Sequence, residues 1–147
     1  MEVIIPQYIS RQAFYSAQFF ILDSCLAYYL QYYRLSVLLF CLYITTLLHW
    51  NKTYRLSIIK ILDVVTVISV LSSITFYDSY RFLEKYRILW RYSMSFSIFI
   101  FFLNETTFYI FLPTKTEDIY YRSTYVHMFF LHFLPATTCA YCAIMSL

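Results

Sequence analysis

The sequence predicts an all-α, polytopic transmembrane helix bundle of about five spans, with an interfacial amphipathic helix. Three observations carry that expectation. The 147 residues are 61% hydrophobic. Only 13% are charged, against the ~25% usual for a soluble domain. Apolar runs long enough to cross a bilayer recur between short polar connections, and a core of this size could not hide so much apolar surface from water. The whole chain, 1–147, reads as a single integral membrane domain with no repeat and no linker.

Composition narrows the function classes. The net charge of +3 is small and scattered, which argues against nucleic acid. The 17 tyrosines suit the bilayer interface, where the ring is apolar and the hydroxyl stays wet. Glycine is absent, so helices must approach through Ser, Thr and Ala, as at Ser69, Ser72 and Ser73. Turns that need positive φ lack their usual residue, which favours short helix–helix connections. Cys25, Cys41, Cys139 and Cys142 all lie in apolar runs and read as small apolar filler. Cys139 and Cys142 form a CxxC pair, but no second pair stands at zinc-finger spacing. The opening residues, MEVIIPQYISRQ, lack the basic leader and short apolar core of a secretory signal, so the first run reads as a retained span.

The elements follow in order. Residues 13–30 form the first span, with Gln18 and Asp23 inside it. An ionisable group at that depth belongs in the bundle interior or an aqueous pocket. Arg34 ends a tight connection, and residues 33–50 form the second span, closed by Trp50 as an interface anchor. Lys52, Arg55 and Lys60 surround the next connection, and residues 57–77 form the third span. Its Val and Ile favour strands in water, but lipid demands internally bonded backbone and therefore a helix. Residues 78–91, the most charged segment, place Phe82, Tyr86 and Leu89 on one face and read as the interfacial helix. Residues 92–112 are the fourth span, with Asn104 and Glu105, and 123–146 the fifth, with a kink expected at Pro135. Cations divide almost evenly between the two faces, so the positive-inside rule assigns no orientation.

The polar residues within the spans suggest chemistry. His49 ends the second span and Asp63 starts the third, while His127 and His132 lie early in the fifth. An odd number of spans puts all four at similar depth on one side. Three neutral imidazoles can hold Zn²⁺ and leave a position for water. The metal would lower that water's pKa and polarise a carbonyl. Asp63 could orient a histidine or take a proton, and Thr45, one turn before His49, could hydrogen-bond the attacking oxygen. The implied reaction is hydrolysis of an amide or ester in a membrane lipid.

The pattern resembles the CREST superfamily of membrane hydrolases, which includes alkaline ceramidases, the adiponectin and progestin receptor family and Per1-type proteins. The resemblance rests on Thr45-xxx-His49, Asp63 in the following span, and His127 with His132 in the last. It implies zinc ligation by His49, His127 and His132, with Asp63 and Thr45 supporting them. The chain departs from the family in having five spans where members have seven, threonine for serine, and His-xxxx-His for His-xxx-His. Five residues at ~100° each leave the two rings about 140° apart on a regular helix, so the helix must bulge for both to face one ion.

Other readings attach to the same residues. His49 can touch lipid headgroups, Asp63 can pair with Lys60 or cap its helix, and His127 and His132 can hydrogen-bond between helices. Asp23 and Glu105 can form ion pairs with Arg34 or Arg91, or line a proton path. A non-enzymatic subunit of a larger membrane complex, or a viral or organellar envelope component, is the alternative class. An ion or proton carrier is a third. Serine-nucleophile chemistry lacks a Gly-x-Ser-x-Gly turn.

Overall fold

The computed structural model describes residues 5–51, 58–111 and 116–147, with 109–111 described by backbone alone. Among these residues the chain is helical and without strands. The order is α1 (Gln7–Ser16), α2 (Gln18–Tyr29), α3 (Tyr33–Asn51), α4 (Ile58–Phe76), a 3₁₀ turn (Asp78–Arg81), α5 (Glu84–Phe111), α6 (Glu117–His127), a π-turn (Met128–Phe133) and α7 (Leu134–Ile144). Three stretches, Tyr33–Asn51, Ile58–Arg81 and Glu117–Ile144, are long and apolar enough to cross a membrane.

The first helix begins earlier than expected and is broken at Ala17. Pro6 precedes it with φ −53° and ψ 139°, and its carbonyl accepts the Ile9 and Ser10 amides. A proline there costs nothing, since the first helical amides have no partner in the preceding turn. Ser16 donates its hydroxyl to the Ala13 carbonyl at 2.8 Å, the same carbonyl that the Ala17 amide uses at 3.2 Å. Such back-bonding by serine competes with the helical ladder and bends it.

The α2–α3 turn shows how a chain without glycine reverses. Gln31 takes φ 63°, the left-handed region. The Tyr32 amide bonds the Ala27 carbonyl at 2.8 Å and the Gln31 amide bonds the Tyr28 carbonyl at 3.0 Å, a Schellman ending. A β-carbon in this region costs ~1–2 kcal/mol. Arg81 holds the turn from the α4–α5 connection. Its guanidinium donates to the carbonyls of Gln31 and Leu30 and lies over the Tyr32 ring.

Small hydroxyl residues join the helices. Ser24 and Ser36 each donate to the other's carbonyl at 2.8 Å, locking α2 to α3. Ser93 and Thr138 link α5 to α7 at 3.1 Å, and Asn104 on α5 donates to Ser123 on α6. The core gathers Phe20, Leu35, Leu39, Val70, Phe82, Trp90 and Cys142. Cys142 is buried filler whose thiol also reaches the Tyr86 carbonyl.

The segment 78–91 is not a separate interfacial helix. It is the 3₁₀ turn followed by the first turns of a continuous α5. Phe82, Tyr86 and Trp90 are buried at spacings of four, whereas Leu89 is exposed. The apolar stripe therefore serves the core.

Chain direction fixes which ends meet. Ile9, early in α1, packs with Phe108 near the end of α5 and Tyr120 near the start of α6. At the other end Tyr32 meets Phe82. α1 and α2 together run the length of the bundle, α3 returns, α4 descends, α5 returns, and the last three elements descend. The end of α3, the start of α4, the end of α5 and the start of α6 thus share one end.

Candidate functional site

The π-turn determines the site. Pro135, second residue of α7, has no amide for the Leu131 carbonyl and its ring crowds that carbonyl, so a regular helix cannot continue through it. The preceding residues widen into a π-turn, where bonds close from i to i+5 and residues five apart come onto one face. His127 and His132 are five apart. Their ring centroids stand 5.1 Å from each other, edge to face.

His132 is held by the break in the first helix. Its Nδ1 lies 2.7 Å from Ser16 Oγ. Ser16 has one hydroxyl proton, and a carbonyl can only accept, so the bond to Ala13 fixes the roles. His132 Nδ1–H donates to Ser16, and Nε2 carries the free lone pair. Phe20 flanks the ring at 5.0 Å, and the residue is only 4% exposed.

His49 does not join the pair directly, because Trp50 intervenes. The indole lies edge-on to His49 at 5.2 Å and to His127 at 5.0 Å. Trp50 is 4% exposed and not the interface anchor that its position after the apolar run suggested. It continues the buried stripe Leu35, Leu39, Leu42 and Thr46 at helical spacing, a signal the sequence did contain.

Asp63 and Thr45 are close, but to each other. Asp63 Oδ1 accepts from Thr45 at 3.0 Å and from Thr46 at 2.8 Å. Thr45 also reaches the Leu42 carbonyl. This carboxylate, 9% exposed, ties α3 to α4 just below His49. It is bonded to threonines, and the expected Lys60 pair is not among the ion pairs of the described residues, which are Arg34–Asp78 and Arg122–Asp118. Lys60 lies instead within electrostatic range of His49, His127 and Glu105.

Thr46, Ser16 and Trp50 are the contributors that the sequence reading missed. Buried polar atoms without a partner also lie on the helices that carry these residues. Trp50 Nε1 is buried without a hydrogen-bond partner among the described residues. Gln12 Oε1, one turn before Ser16, and Thr124 Oγ1, one turn before His127, are likewise unpartnered. Buried polar groups are nearly always bonded, so each such atom would gain from a polar neighbour.

Asp23 sits elsewhere, beside a small cavity lined by Tyr32, Leu35 and Cys139, its Oδ2 without a partner. Arg34 pairs with Asp78 in place of Asp23 or Glu105.

The His127 and His132 rings stand together at 5.1 Å. Among the described residues, however, no three His, Cys, Asp or Glu side chains converge closely enough to hold a metal ion. Comparison with family models, with curated proteins and with solved structures gave no match.

Proposed function

We propose that the chain is a multi-pass integral membrane protein and that its histidine pair is the nucleus of a zinc-dependent lipid hydrolase site, acting on an amide or ester. The observation that carries this reading is the π-turn. The sequence required a bulge for His127 and His132 to share a face, and they stand 5.1 Å apart across one. The Ser16 bond supports it, since a ligating histidine typically donates its other ring N–H to a fixed acceptor. His49 would complete the ligand set once the Trp50 indole turns aside, and the orphaned Nε1–H loses no bond in doing so. Bound zinc would supply a water acidic enough to attack at neutral pH. The chain's own contribution is the fixed His132 tautomer and the exclusion of bulk water by Phe20 and Phe101.

A second reading, a metal-free subunit of a larger membrane assembly, is favoured by the Thr45–Thr46–Asp63 tie, which occupies the acid in packing. The test is zinc content and hydrolysis together. Protein purified in detergent without chelators should carry about one zinc and cleave a fluorescent ceramide or phospholipid. Both properties should be lost in His127→Ala and His132→Ala. Zinc-free, inactive protein that copurifies with a stable partner would favour the subunit.

A further inference from the structure

At the end of the bundle away from the histidines, two turns meet and cations collect. Arg34 follows the α2–α3 turn, and Arg81, Lys85, Arg87 and Arg91 follow the end of α4. The acids nearby are Asp78 and Glu84. Asp78 is buried and already accepts from Ser73 at 2.9 Å and Arg34 at 3.5 Å. Arg81 is committed to two backbone carbonyls. Arg34, Arg87 and Lys85 rest on aromatic faces. The Arg34 guanidinium is 4.3 Å from the Tyr77 centroid, Arg87 is 5.5 Å from Tyr80, and Lys85 Nζ is 4.7 Å from Tyr86.

A tyrosine face orients a cation without neutralising it. A guanidinium stacked this way keeps its edge donors in a fork that matches phosphate oxygens. Tyr77 and Tyr80 are 63% and 62% exposed, and such rings suit headgroup depth. At the opposite end Arg122 is paired with Asp118 at 2.8 Å, and Lys60 lies within electrostatic range of Glu105. Lys52, Arg55 and Lys115 lie outside the described residues.

We propose that the turn end built around Lys85 and Arg87 is a docking surface for the phosphate-bearing headgroups of anionic bilayer lipids. The proposal rests on the membrane placement given above and is independent of the metal reading. Tyrosine rings would sit among the acyl–headgroup boundary while the cations reach the phosphates, an electrostatic attraction that scales with the number of basic residues near the surface.

The test reconstitutes the full chain into vesicles of phosphatidylcholine mixed with phosphatidylglycerol, extracts it gently and weighs the retained lipid by native mass spectrometry. Phosphatidylglycerol should be enriched over phosphatidylcholine. The enrichment should fall about fivefold for each cation removed in Lys85→Gln and Arg87→Gln. Arg11→Gln and Arg122→Gln, at the other end, should leave it unchanged, and circular dichroism checks that each variant is folded. Equal retention of both lipids, or equal loss in both sets of variants, would overturn the proposal. Displacement of the lipid by millimolar inorganic phosphate would overturn it too, by making this a site for soluble anions. Flotation with pure phosphatidylcholine vesicles reads membrane placement separately. Failure there removes that placement, and the docking surface with it.

Discussion

The Ser16 hydroxyl has one proton, and the Ala13 carbonyl takes it, so His132 must donate from Nδ1. Replacing Ser16 with Ala leaves that N–H without an acceptor and frees the ring to change tautomer. A lost buried hydrogen bond of this kind costs ~1–2 kcal/mol. Zinc affinity, read by competition with a chromophoric chelator, should drop by about 10–100-fold. Ser16→Thr should restore most of it. Unchanged affinity in Ser16→Ala would show that the bond does no more than pack the helices. None of this was legible beforehand, because Ser16 lies 116 residues from its partner and single residues carry no record of such distant pairing. Trp50 is the opposite case. Its place in the stripe with Leu42 and Thr46 was readable, and the terminal position of the residue in its run misdirected the reading.

Three local devices let this chain form a bundle without glycine. The first is the left-handed Gln31. Gln31→Gly removes the β-carbon penalty and should raise stability by ~0.5–1 kcal/mol, and Gln31→Val should lower it by at least as much, both read by thermal unfolding in detergent. The reverse order would mean that the side chain makes contacts outweighing the backbone cost. The second is the reciprocal Ser24–Ser36 clasp, where Ser36→Ala should cost ~0.6–1 kcal/mol in the same measurement. The third is the π-turn. Its need was legible, since His-xxxx-His and Pro135 together demand a bulge if the rings are to meet. Where α5 begins was not legible. Charges in 84–91 resembled an interfacial surface, and only packing shows that Phe82, Tyr86 and Trp90 face inward.

Helices around the molecule carry exposed apolar side chains, and α4 shows this most continuously. α4 packs on α3 and exposes Ile58, Ile61, Leu62, Val65 and Ile68, each more than half exposed. A soluble protein rarely shows so continuous an apolar face, and lipid or a membrane partner is its natural cover. Composition announced this class plainly, because burial in water could not absorb 61% hydrophobic residues. The three crossing-competent helices agree with it. How the ends pair was less open to reading, since it depends on the break at Ala17 and on the 3₁₀ turn at Asp78–Arg81. Cations stacked on tyrosines stand at one end of the bundle, and the imidazoles toward the other.

The most direct measurement is a titration of the detergent-purified, metal-stripped protein with Co²⁺, followed by visible absorption. A single ion should bind with the intense bands of a four-coordinate site of imidazole nitrogens and water, and the bands should vanish in His127→Ala, in His132→Ala and in Pro135→Ala, which lets a regular helix continue with the two histidines still five residues apart. Co²⁺ that never binds, or that binds equally well after the π-turn is removed, would contradict a shared site for the two histidines.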